Sequence, residues 1–359
     1  IDEACAVDDF DAFTSRVGTG RVFGGQQPYV DYYPAVLAKL DAVERAGGFY
    51  AFADYAPLGS DPWLARTELP SVAARDGILR FPFQPSLRVH AGKDLRFVPP
   101  PSKETLCALE EKLKATITCT AKVVPLDRKS AFDRLRVLLH DYEEARTSSR
   151  SAGEFNTRWS TRIFRRLGYQ LPLVSLSDLL ENHLPSIAET LEIFIANRVL
   201  VAESVAEALA IDVDRETHFT VKDRDHVPLA IADENGFRRP VRLSEIGNAE
   251  QFLRDHAGRW SLDVFAPIFL FRLGLGGIIN GRGSIRYSLV LAHVMRRVFG
   301  ENHVPNLLCS CSPVANGPFA EAVRKKHGAL PDALREPTLI ARLLESDEAT
   351  IRREIAESW

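Results

Sequence analysis

The chain has 359 residues, 45% of them hydrophobic and 26% charged, with a formal net charge of −3. That length can bury a sizeable core, as two domains or as one core with large insertions, and the charge balance gives no electrostatic ground for nucleic-acid binding. No apolar run approaches the roughly 18 residues a membrane helix needs, the acidic start Ile1-Asp2-Glu3 is no signal peptide, and five cysteines fit a reducing cytoplasm better than a disulfide framework.

The first organised stretch is Arg21-Val22-Phe23-Gly24-Gly25-Gln26-Gln27-Pro28, followed by a helical pattern over 33–45. A short strand, a glycine turn and a helix open a Rossmann-type unit. The turn is not G-x-G-x-x-G, so the dinucleotide fingerprint is absent. The adjacent amides of Gln26 and Gln27 either read polar groups on a small ligand or satisfy backbone groups around the turn. Residues 48–54 read as a second buried strand. Asp54 and Asp61 follow it, in the loop position where α/β proteins place ligands, although Asp61-Pro62 is equally a turn former. Gly92 is expected at the tip of a hairpin formed by 87–90 and 95–98. Ser102 caps a helix, and two more follow over 130–146 and 154–167. Between these two, residues 147–153 read as an exposed hinge, and Arg158, Arg162, Arg165 and Arg166 give the second a basic, solvated face.

Residues 171–176 form a short apolar strand, followed by helical material to 210. Strands are expected over 217–221, 227–232 and 237–241, the last two joined by Asp233-Glu234-Asn235-Gly236. After a helix over 244–254 comes the apolar run Phe265–Phe271, then the buried pair Ile278-Ile279, then Asn280-Gly281-Arg282-Gly283. Beyond that turn, Ile285, Leu289, Ala292 and Phe299 recur at helical spacing, and Ser284 stands where an N-cap belongs. Gly281 and Gly283 permit unusual backbone angles and close approach of a ligand. The helix start, with Arg282 and Arg286, suits a phosphate or carboxylate, while a lone G-x-G also serves as a plain packing turn. A strand over 304–309 and amphipathic helices from 318 onward close the chain. Cys309-Ser310-Cys311 has no second pair or histidine at zinc spacing, so no metal site is predicted there.

Several of these stretches resemble one family. Gly25-Gln26-Gln27-Pro28 is similar to the G-Q-Q-P-G segment of the bacillithiol cysteine-adding ligases, and the hairpin from Val227-Pro228-Leu229 to Gly236-Phe237-Arg238-Arg239-Pro240 resembles theirs. Arg259-Trp260-Ser261-Leu262-Asp263-Val264, leading to Gly281-Arg282-Gly283-Ser284-Ile285-Arg286-Tyr287, is similar in order and spacing to the family's F-S-P-N-V followed by G-G-P-G-E-I-A-Y. The likeness covers about residues 15–310.

The resemblance implies an α/β fold with a Rossmann-like core of class I synthetase and nucleotidyltransferase shape. Residues 1–118 and 251–359 would supply the core and the C-terminal helices, and 119–250 a helical and hairpin insertion. It further implies a cytoplasmic ligase joining an amino acid, such as cysteine, to a small amine or thiol partner in a natural-product or low-molecular-weight thiol pathway. ATP or ADP is the implied nucleotide, with Mg as its only metal; no nucleic-acid or membrane partner is expected, and a homodimer is open. Asp54 or Asp61 would accept the amine's proton, and Arg286 or Arg282 would neutralise developing charge. Gln26, Gln27, Asn280, Gly281, Gly283, Ser284 and Tyr287 would hold substrate or nucleotide, with Gln26 and Ser284 facing one cleft.

Three departures separate this chain from the family. The acidic G-E-D-H-D segment is replaced by Leu58-Gly59-Ser60-Asp61-Pro62-Trp63, the family's Glu and Ala near the second glycine turn are Ser284 and Arg286, and the long C-terminal coiled coil is missing. They leave two other classes open: a nucleotidyltransferase, and a non-catalytic binding or partner subunit of the same fold.

Overall fold

The computed structural model describes residues 20–84, 90–211, 225–281, 287–302, 305–309, 317–334 and 336–358. In chain order these form β1 (Arg21–Gln26), α1 (Pro34–Arg45), β2 (Phe49–Phe52), β3 (Arg66–Pro70), β4 (Ile78–Pro82), α2 (Lys103–Thr120), α3 (Arg128–Thr147) and α4 (Ala152–Arg166). Next come β5 (Leu173–Ser175), α5 (Leu176–Asn182), α6 (Leu184–Ala196), α7 (Arg198–Ile211), β6 (His226–Ala232), β7 (Arg238–Arg242), α8 (Ala249–Asp255) and β8 (Trp260–Leu262). The chain continues with α9 (Ala266–Arg272), β9 (Leu275–Asn280), α10 (Ser288–Phe299), β10 (Asn306–Leu308), α11 (Pro318–His327), α12 (Leu339–Glu345) and α13 (Glu348–Ser358). Two compact units result: one takes the described residues within 1–25, 42–53 and 171–309, the other those within 26–41, 54–170 and 310–359.

The first unit holds a five-stranded parallel sheet in the order β10-β9-β1-β2-β5. Read from β5, the strands are the third, second, first, fourth and fifth along the chain, which is the order of a Rossmann-like core. The fold is thus α/β, as expected. Its strands are short and apolar because a parallel sheet is covered on both faces; all four residues of β2 are buried. Gly24 allows the covering helix to press close, since a Cβ there would lie 2.5 Å from Val43 Cγ2 in α1 and 3.1 Å from Tyr50 Cδ2 in β2. The same unit carries an antiparallel sheet, β7-β6-β8. Its β6–β7 turn forms at the predicted Asn-Gly: Asp233 Oδ1 accepts from the N–H groups of Asn235 and Phe237, and Gly236 takes a left-handed φ of 84°.

The second unit contains the β3–β4 pair and helices α2, α3, α4, α11, α12 and α13. Its core is aromatic. Tyr142 stacks on Trp159 at 3.9 Å, and both donate to the Val30 carbonyl, at 3.0 and 3.1 Å. Ser102, Asp127 and Ser151 cap α2, α3 and α4 by accepting first-turn N–H groups.

Three expectations need correction. Residues 95–97 form a single 3₁₀ turn in place of a hairpin strand, because Asp94 captures the Arg96 N–H as a cap does; residues 85–89 lie outside the described ones. The segment 147–153 is not a free hinge: Ser151, Ala152 and Gly153 are buried, Ala152 donates to the Val98 carbonyl at 2.7 Å, and a Cβ on Gly153 would stand 2.7 Å from the Asp54 carbonyl oxygen. Small polar residues read as loop here, whereas the serine is a cap and the glycine permits a close backbone approach. The basic face of α4 is largely paired: Arg166 binds Asp141 at 2.6 Å, Arg162 binds Glu144, and Arg165 donates to the Tyr169 carbonyl. The strand expected over 217–221 lies outside the described residues. Among the described residues, no helix is long and apolar enough to cross a membrane.

Candidate functional site at the strand-order reversal

In an open parallel sheet, ligands bind outside the carboxyl ends of the strands where the strand order reverses, because the loops there diverge. In this sheet the reversal falls between β1 and β9, which pair in parallel register through Phe23 with Ile278 and Gly24 with Ile279. Gly25 lies at the carboxyl end of β1, and Asn280 ends β9 with Gly281 directly after it. The two glycine turns singled out in the sequence therefore stand at adjoining strand ends. Gly281 does not adopt positive φ, and a Cβ there meets nothing within 4 Å among the described residues. No special backbone angle therefore calls for glycine there.

Arg282, Gly283, Ser284 and Arg286 lie outside the described residues. The helix beyond them, α10, begins at Ser288, with Tyr287 in the cap position and no side-chain capping bond. The helix start expected at Ser284 falls outside the described residues.

Behind Gly281 runs a buried polar chain. Asn280 Nδ2 donates to Asn306 Oδ1 at 2.7 Å, and Asn306 Nδ2 donates to Ser288 Oγ at 2.5 Å. These residues are 9%, 1% and 5% exposed. The register explains the meeting: Asn306 pairs with Ile278 and Leu308 with Asn280, so Asn280 and Asn306 share one face of the sheet. The chain ties β9, β10 and the start of α10 together, and the Cys309 N–H adds a 2.8 Å bond to the Asn280 carbonyl. Sequence reasoning found Asn280 and missed Asn306 and Ser288. The available signal was an asparagine inside an otherwise apolar short strand.

The other anticipated residues belong to the second unit. Gln26 Oε1 accepts from the buried Lys39 ammonium at 3.0 Å, so its amide serves a structural cation. Gln27 is half-buried. Asp54 is buried. Asp61 accepts the Tyr29 hydroxyl at 2.6 Å and the Trp63 N–H at 3.0 Å, the local engagement of a turn-forming aspartate. Burial foremost, and Asp61 beside it, push the Tyr29 hydroxyl far above the usual tyrosine range.

A second constellation in the first unit escaped the sequence reading. His226, which begins β6, and Asp263, just past β8, meet with Nε2 2.7 Å from Oδ2. The second carboxylate oxygen accepts the Phe265 N–H at 3.0 Å. Each side chain keeps 24% of its surface exposed, so the imidazole is both oriented and accessible, as an acid–base group requires. Among the described residues, no three His, Cys, Asp or Glu side chains gather as metal ligands do.

No family model and no curated protein matches the chain.

Proposed function

We propose that this protein is an amide-forming ligase that joins an amino acid to a small amine or thiol partner, with ATP or ADP bound as its Mg complex at the carboxyl edge between β1 and β9. The carrying observation is that the strand order reverses between the two glycine turns, beside a helix start without a side-chain cap. The resemblance of Gly25-Gln26-Gln27-Pro28 and of the Asp263 and Gly281 segments to the bacillithiol cysteine-adding ligases supports the amino-acid substrate.

Amide formation from a free carboxylate is uphill in water, so an activated acyl group or a nucleotide must supply the driving force, and in this reading it is ATP. Transfer of the terminal phosphoryl group to the carboxylate gives an acyl phosphate and ADP. Attack by the acceptor amine then forms the amide, releasing phosphate and a proton. Backbone donors at Gly281 and the first turn of α10, with Arg282 or Arg286, are suited to the phosphates. His226, held by Asp263, is suited to receive the proton.

Mass spectrometry of a metabolite extract incubated with the protein, ATP and Mg tests this reading. The expected result is a new amide whose formation consumes ATP and requires both an amino acid and an acceptor. Pyrophosphate release without an amide would favour a nucleotidyltransferase. If no nucleotide raises the melting temperature by mass action, the proposal falls.

A further inference from the structure

We infer that the cavity walled by α3, α12 and the ends of α4 and α13 is a binding site for a small monocarboxylate with a branched apolar body. It lies wholly within the second unit and is independent of the function proposed above. Its volume is about 220 Å³. That is below the roughly 300 Å³ at which sites for drug-sized ligands begin, and it suits a ligand the size of one amino acid.

The walls set the chemistry. Asp133, Arg134, Val137 and Leu138 lie on one face of α3, because residues four apart on a helix are neighbours. Arg134 is half-buried, yet among the described residues no carboxylate stands within ion-pair distance of it. Its one hydrogen bond is a donation to the Leu344 carbonyl at 3.4 Å, longer than such bonds usually run. Asp127 and Asp347 lie within its field but outside ion-pair reach. A partly desolvated guanidinium is best satisfied by a carboxylate, which can accept two of its N–H groups at once. The cavity's other arginine is already engaged, since Arg166 binds Asp141 at 2.6 Å and has Glu348 at 3.8 Å. The lining therefore offers one unneutralised positive charge.

Beside that charge the wall is apolar. Leu138 and Leu343 are buried, whereas Val137 is 41% exposed, an aliphatic side chain at the cavity that the fold leaves uncovered. A carboxylate on Arg134 would lay its aliphatic body over Val137 and remove that surface from water. Phosphate fits poorly. It would bring two negative charges to one free guanidinium, beside the carboxylates of Asp133 and Glu348 in the same lining.

Calorimetric titration of the full chain tests this with isocaproate, leucine, the neutral isostere isocaproamide and inorganic phosphate. Isocaproate or leucine should bind at one per chain, and the tighter of the two identifies a plain acid or an amino acid as the source. Isocaproamide should bind about tenfold more weakly than isocaproate, and phosphate should not compete. Arg134→Met keeps an apolar stem without the charge, and it should abolish the discrimination between acid and amide. Val137→Phe, a change at an exposed position that fills the cavity, should weaken both; circular dichroism melts confirm that the variants fold. No binding of either acid to the wild type overturns the inference. So does equal discrimination in wild type and Arg134→Met, tighter binding of phosphate, or undiminished binding in Val137→Phe.

Discussion

The Glu345 carboxylate accepts the backbone N–H of Phe319 at 2.7 Å, so the anion at the start of α11 comes from the end of α12. Burial outweighs that bond and the nearby Arg342, and raises the carboxyl pKa to about 7. Burial likewise raises Asp31 to about 6, against its bonds to Thr67 and Ile340. A carboxyl that holds its proton more tightly when folded stabilises the fold fully below its unfolded pKa, and that contribution is lost as pH rises through the folded value. For Glu345 the loss runs from about pH 4.5 to about 7 and amounts to about 3 kcal/mol. Urea midpoints should therefore be lower at pH 8 than at pH 5. Glu345→Gln, which keeps an acceptor for Phe319 and cannot ionise, should flatten the dependence. An unchanged slope would place the titration elsewhere.

Gly24 and Gly281 should respond oppositely to alanine. At Gly24 the new Cβ meets Val43 at 2.5 Å, so a cost of about 1–3 kcal/mol is expected from overpacking. At Gly281 it meets nothing among the described residues, and stability should change by less than about 0.5 kcal/mol while ligand affinity falls. Denaturation curves and titrations on the two variants check both halves.

Arg352 clamps the second unit. It binds the buried carboxylate of Asp41 at 2.7 Å and lies 3.5 Å over the Tyr169 ring. Arg352→Ala should cost about 2–3 kcal/mol, through the charge left at Asp41 and the lost stacking. The double variant with Asp41→Asn should recover part of that loss. Strict additivity of the two single changes would show that the pair contributes nothing.

Gly153→Ala should destabilise more than an ordinary helix glycine substitution, which usually gains stability. Its Cβ would press on the Asp54 carbonyl oxygen, a backbone atom that cannot rotate away. A melting temperature equal to or above wild type would show that this approach relaxes freely.

The parallel strands were legible in the sequence because short apolar runs between glycine turns have few other readings. Phe49–Phe52 and Ile278-Ile279 both emerged as buried strands. The hairpin at Asn235-Gly236 was legible because its turn chemistry is local. What failed depended on partners distant in sequence. Gly153 looks like a hinge until the Asp54 backbone is set against it, and the arginines of α4 look solvated until Asp141 and Glu144 face them. At the candidate site, Asn280 was found from its turn. Asn306 and the His226–Asp263 pair were not, because strand register and sheet pairing bring them to their partners.

The order β10-β9-β1-β2-β5 also has a consequence for biosynthesis. One edge of β1 is completed by β9, about 250 residues further along the chain. While the chain is being made, β1 and β2 can exist long before β9 leaves the ribosome, with an unpaired apolar edge of the kind that recruits stray strands. Contacts this distant in sequence slow folding and prolong exposure of that edge. Expression yield should therefore respond more to translation speed and chaperone supply over residues 50–280 than the stability of the finished fold would suggest.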